Sequence, residues 1–192
     1  MSDKLELSES DPILTIRFAS PETRNPLSVV VLHELDEIIS SFAGRGIVFT
    51  GSEEVFASGA NLREIAAVTP EDATEFALRG QGLFAKIAEL PLTAAAINGF
   101  CFGGALDLAL SCKFRIASPN AVFSHPGANL GIMTGWGGTQ RLPRLIGEAN
   151  ALEMFFLARR VSAEEALRIG LIDAVADDPL DASLRKIREE LI

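Results

Sequence analysis

The chain has 192 residues, 48% of them hydrophobic, enough to bury the core of one domain. Its 17 basic and 26 acidic residues give a formal charge of -9, the wrong sign for a protein that gains affinity by neutralising nucleic-acid phosphates. Cys101, Cys112, His33 and His125 show no metal-ligand spacing, so no structural metal is expected.

The start, MSDKLELSESDPILTIRF, is acidic and polar where a secretory signal needs a basic start and an apolar run, which predicts a cytoplasmic chain with reduced thiols. ILTIRF (13–18) reads as a strand. NPLSVVVLHELDEIISSF reads as a helix with Asn25 as N-cap, Pro26 at its first position, and Val29, Leu32, Leu35, Ile39 and Phe42 on one face. GIVFTG (46–51) is the next strand. Thr69 and Pro70 open a second helix that carries Phe76, Leu83, Phe84 and Ile87 toward a core. LTAAAI (92–97) is a buried strand ending at the turn NGF.

Leu92 to Cys112 approaches the length of a membrane span, but Asn98, Gly99, Gly103, Gly104 and Asp107 interrupt it. A buried strand, turn and helix is predicted instead, and no membrane partner. FRIA and AVF follow as short strands and ANALEMFFLA as a helix. SAEEALRIG carries a capping box, with Ser162 as cap, Glu165 three residues on and Gly170 as the stop. LIDAV is a last short strand, and DDPLDASLRKIREELI one amphipathic helix. Strands alternating with helices predict an α/β architecture with crossover connections, organised as a core domain (1–175) and a short helical tail (176–192).

GFCFGGALDLALSC (99–112) holds a single carboxylate, Asp107, in an apolar run. Gly103 and Gly104 sit where a loop hands over to a helix, so the first peptide N–H groups lack intrahelical acceptors and lie at the positive end of the dipole. Such a terminus can stabilise a developing oxyanion. Asp107 is one turn beyond Gly104, on the same face. Two readings stay open at this level: a base standing over a polarised group, or a carboxylate that offsets the helix dipole.

VFASGANLREI (55–65), AAINGFCFGGALDLALSCKFRIAS (95–118) and GWGGTQRLPRLIG (135–147), followed by VSAEEALRIGLIDAV, resemble in that order the crotonase family of enoyl-CoA hydratases and isomerases. The resemblance runs from about Ile13 to Val175. It implies a crotonase-like spiral of repeated ββα units, with only residues 176–192 in place of the longer C-terminal helical segment that builds a homo-trimer in the family. It also implies an acyl-CoA thioester as substrate, coenzyme A being part of the substrate and no separate cofactor being needed. The thioester carbonyl would sit between the amides of Ala60 and Gly104, with Asp107 where the hydratases have their first glutamate. Arg24 in ETRNPL would contact coenzyme phosphates. Ser58, Asn61 and Leu62 in SGANL, with Gly127 and Trp136, would complete the substrate-binding set, Trp136 as a wall.

Two proton-transfer groups of the family pattern are absent. HPG (125–127) puts Gly127 where hydratases carry a second glutamate, and Gly135 stands where dienoyl-CoA isomerases carry an aspartate. Dihydroxynaphthoyl-CoA synthases resemble this chain in having glycine at the first of these places. Single-base isomerisation by Asp107 is therefore favoured over hydration. The alternatives are a non-catalytic acyl-CoA-binding relative and a thioester hydrolase using Ser124 or Ser58 with His125. His125 is otherwise read as structural or at the surface, and adjacent Ser124 and His125 on a strand point to opposite faces.

Overall fold

The computed structural model describes residues 3–10 and 12–192. A six-stranded sheet is built from β1 (Leu5–Ser10), β2 (Ile13–Phe18), β4 (Gly46–Thr50), β7 (Thr93–Ile97), β9 (Phe114–Ala117) and β12 (Ala174–Val175), in that spatial order. A four-stranded sheet has the order β11 (Val161–Ser162), β10 (Val122–Ser124), β8 (Phe100–Phe102), β5 (Val55–Ala57), and β3 (Pro26–Leu27) pairs with β6 (Gly59–Ala60). The helices are α1 (Val29–Ser41), α2 (Leu62–Ala67), α3 (Ala73–Glu89), α4 (Gly104–Ser111), α5 (Gly138–Ile146), α6 (Glu148–Leu157), α7 (Ala163–Arg168) and α8 (Pro179–Glu190).

The chain climbs in a spiral. β4 and β5 lead to α2 and α3, β7 and β8 lead to α4, and β9 and β10 lead to α5 and α6. Each turn therefore lays one strand in the larger sheet, one in the smaller, and then returns by helix. Apart from the β1–β2 hairpin, the larger sheet is parallel. Its central strands are buried on both faces, as parallel strands are when helices cover each side. Ile47, Phe49, Ala95 and Ile97 face the main core, while Val48, Ala94 and Ala96 alternate onto the other face with Ile13 and Leu92. There Ile187 of α8, fully buried, closes the second layer. Within the 176–192 segment the helix α8 covers Pro179–Glu190, and it packs against the sheet.

Two local expectations are corrected. Asn25 does not cap a helix: it has φ 49°, and its buried side chain accepts the Ser20 N–H and donates to the carbonyls of Val55 and Phe56. Pro26 consequently lies in β3, and α1 begins at Val29 with the Ser28 hydroxyl accepting the Val31 N–H. The helix assigned to Thr69 and Pro70 starts at Ala73, while α2 ahead of it is additional. The polar opening segment also contributes β1, in which only Leu5 is buried and which pairs residue by residue with β2. Among the described residues no helix is long and apolar enough to cross a membrane.

Candidate active site

Gly59 and Gly104 bring two chain segments closer than side chains would permit. Gly59 has φ 93°, and a Cβ placed on it would stand 2.6 Å from the Phe102 carbonyl oxygen and 2.9 Å from the Gly104 nitrogen. A Cβ on Gly104 would stand 3.3 Å from the Ala60 nitrogen. The start of α4 is therefore pressed against β6, with the Ala60 and Gly104 amides side by side. Gly103 offers α4 no side-chain cap, so the dipole and bare N–H groups of its first turn are available to an anion.

Both amides lie at a cavity of about 280 Å³. Ser58, Leu62, Gly127 and Trp136 also line it, so the structure brings together six of the residues singled out from sequence. Trp136, 3% exposed, lies edge-on to Phe84 and tilted against Phe76, with its ring 2.5 Å from where a Cβ on Gly104 would be. It forms part of the cavity wall. Ile65, Phe76, Leu130, Ile132, Met133 and Phe155 make the remaining surface largely apolar. Among the described residues no aspartate or glutamate lines the cavity.

Arg24 and Asn61 lie off this wall. Arg24 is exposed, at φ 65°, and its carbonyl accepts the Ser58 N–H at 3.0 Å. Asn61 caps α2 by accepting the Arg63 N–H. Asp107 is wholly buried behind the wall and does not line the cavity. Two residues that do line it touch the carboxylate. Thr134 donates its hydroxyl to Oδ2, and His125 Nε2 lies 3.6 Å from Oδ1, which has no hydrogen-bond partner.

Burial raises the Asp107 pKa from 3.8 to about 6, against the opposing pull of the Thr134 hydroxyl, the nearby Trp136 and Gly138 amides and the Arg141 guanidinium. Burial acts alone on His125 and lowers it from 6.5 to about 4. At neutral pH the carboxylate is charged and the ring neutral, so their contact is not an ion pair. His125 is neither at the surface nor satisfied within the fold. It is 3% exposed, packs 5.0 Å from the Phe155 ring, and has no partner for either nitrogen. Ser124 faces away from it, donating to the Ala158 carbonyl at 3.2 Å, which removes it as a nucleophile partner.

Thr134 is the residue that sequence reasoning missed. It sits in an irregular loop between Gly131 and Gly138, and nothing in the local pattern marks its hydroxyl as the partner of a carboxylate 27 residues earlier.

A family profile described as enoyl-CoA hydratase/isomerase matches residues 8–192. The short-chain-enoyl-CoA hydratase of Clostridium acetobutylicum is 35% identical over 178 residues, covering 89% of this chain and 68% of the relative. The crotonyl-CoA hydratase of Syntrophomonas wolfei is 34% identical over 198 aligned residues, covering 99% and 76%. Among solved structures, DspI of Pseudomonas aeruginosa superposes with a TM-score of 0.92 at 33% identity, covering 98% of this chain and 80% of that one. An enoyl-CoA hydratase of Bacillus anthracis gives a TM-score of 0.86 at 33% identity, over 97% and 74%.

Proposed function

The chain belongs to the enoyl-CoA hydratase/isomerase family, and from that premise we propose that it isomerises an acyl-CoA thioester with Asp107 as its single base. The thioester carbonyl oxygen is held by the Ala60 and Gly104 amides. Removing a proton beside that carbonyl sends charge onto the oxygen, where one preorganised donor is worth roughly a hundred- to a thousandfold in rate. The acyl chain follows the apolar wall of Leu62, Trp136 and Met133. Arg24, exposed ahead of β3, meets the coenzyme phosphates, and Asn61, at the cap of α2, belongs to the substrate-binding set. The protein works in the cytoplasm, and self-association as a homo-trimer covers exposed apolar side chains such as Leu152, Phe156 and Leu157 on α6.

One observation carries the choice of isomerisation over hydration: no carboxylate lines the cavity among the described residues, and Asp107 lies directly behind it with a pKa of about 6. A base near the working pH suits the removal and return of a proton. Water addition between two carboxylates lacks its second member, because Gly127 and Gly135 stand on the wall. The seclusion of Asp107 also favours a second reading, a protein that binds acyl-CoA without turning it over.

Calorimetric titration with acetyl-CoA and free coenzyme A, followed by assay of β,γ- to α,β-enoyl thioester conversion, separates the two. Tighter binding of the thioester, with conversion that Asp107→Asn abolishes, supports the isomerase. Binding without conversion supports the non-catalytic reading, and conversion unaffected by Asp107→Asn removes Asp107 as the base.

A further inference from the structure

Thr134 and His125 both touch Asp107 and both line the cavity, but they differ in what they have left to offer. The Thr134 hydroxyl is committed to Oδ2 of the carboxylate. The His125 ring is committed to nothing: Nδ1 and Nε2 are buried without partners, and Nε2 faces an equally unpartnered Oδ1 across 3.6 Å. Three bare polar atoms in a packed interior are costly unless something entering from the cavity completes them. The ring packs tilted against Phe155, with centroids 5.0 Å apart and planes at 44°, and the neighbouring Ser124 is tied to the Ala158 carbonyl.

Resting on the acyl-thioester reading above, we propose that His125 is a catalytic residue that carries the proton between the bound acyl chain and Asp107, so that Asp107 acts as the base through the ring and not by direct contact with the substrate. A neutral ring with its hydrogen on Nε2, toward the carboxylate, presents the Nδ1 lone pair to the substrate. The α C–H bond breaks, and its proton goes to Nδ1. The bonding pair forms the enolate, whose charge rests on the thioester oxygen beside the Ala60 and Gly104 amides. The Nε2 hydrogen passes to Asp107 Oδ1, leaving a neutral ring and a neutral carboxylic acid. Return by the same path, with the ring taking the hydrogen back at Nε2 and releasing the other from Nδ1 to the γ carbon, completes a double-bond shift with no atom gained or lost. Asp107 stores the proton, and His125 gives it access to a cavity that the carboxylate itself does not line. The arrangement is that of a base backed by a carboxylate.

Exchange of the α hydrogens of butyryl-CoA with deuterated water, followed by NMR, reads this step without any further chemistry. Calorimetry on the same proteins supplies thioester affinity. In His125→Gln the affinity stays within about threefold of wild type while exchange slows by about a hundredfold or more. In His125→Ala, added imidazole restores exchange, which a packing role for the ring does not predict. Wild-type protein with nitrogen-labelled histidine gives a check free of any variant: bound butyryl-CoA shifts the His125 resonances and leaves those of exposed His33 in place. Exchange at the wild-type rate in His125→Gln, loss in His125→Ala without imidazole rescue, or His125 resonances unmoved by bound thioester each overturn the relay while the acyl-thioester reading stands. Failure of the wild type to bind butyryl-CoA overturns both.

Discussion

Nε2 of His125 and Oδ1 of Asp107 face each other at 3.6 Å inside the protein, and burial moves their pKa values in opposite directions. Folding raises Asp107 from 3.8 to about 6, so between those values the native state holds a proton that the unfolded chain has released, and stability falls as pH rises. Folding lowers His125 from 6.5 to about 4, so there the unfolded chain holds the extra proton, and stability rises with pH. Each shift corresponds to about 3 kcal/mol. In the wild type the two slopes nearly cancel, and single variants unmask them. Urea unfolding of His125→Phe gives stability that declines from pH 4 to 6, and Asp107→Asn gives stability that climbs from pH 4 to 6.5. Parallel slopes in the two variants would contradict the opposed titrations.

Asn25 bridges chain segments that lie 30 residues apart. Its side chain satisfies the Ser20 N–H and the carbonyls of Val55 and Phe56 from a backbone at φ 49°, a conformation that asparagine tolerates better than most residues. Asn25→Ala leaves those groups bare and places a Cβ residue in the left-handed region without compensation, at a cost of about 2–4 kcal/mol. Asn25→Gly relieves the backbone but not the bonds. It is expected to fall between wild type and alanine in chemical denaturation, and equal stability of glycine and wild type would show that the bridge is dispensable.

Asn25 also shows where the sequence stopped being legible. Asn followed by Pro is a sound local signal for a helix start, but Ser28 offers a cap three residues later, and distant carbonyls claimed the Asn25 side chain. The strand at Ile13–Phe18 was readable because its residues are buried nearly throughout. Its partner Leu5–Ser10 was not, because only Leu5 of that edge strand is buried. α5 escaped because Pro143 lies inside it. In the site, the glycines around Ala60 and Gly104 were legible in the motif blocks, since close backbone approach demands them. The seclusion of Asp107 was not, because it depends on the Gly131–Gly138 loop folding over the carboxylate. That is a tertiary event with no periodicity to announce it.

The two glycines at places where relatives of the resembled family carry acids are not sterically equivalent. A Cβ on Gly127 would overlap the Ile132 carbonyl oxygen, whose own N–H already donates to the Gly127 carbonyl at 3.0 Å. A Cβ on Gly135 meets nothing within 4 Å. Gly127→Glu is therefore expected to destabilise by about 1–3 kcal/mol, and Gly135→Asp to stay within about 0.5 kcal/mol of wild type. Urea midpoints at pH 7 decide it: a tolerated Gly127→Glu would mean that the loop yields to the side chain.

Gly104 and Gly80 grip the same indole from different elements, and that makes a controlled comparison possible. A Cβ on either residue would run into the Trp136 ring, but only the one on Gly104 also stands 3.3 Å from the Ala60 nitrogen. Gly104→Ala and Gly80→Ala are each expected to destabilise by about 1–3 kcal/mol as the indole is displaced. Their effects on turnover should part. If the paired amides hold the thioester oxygen, a methyl group between them excludes that oxygen, and Gly104→Ala loses about a hundred- to a thousandfold in kcat with a smaller change in KM. Gly80→Ala, which shifts the wall and leaves the amides bare, should change KM more than kcat. Equal loss of kcat in both would mean that the position of Trp136, and not the pair of amides, limits the reaction.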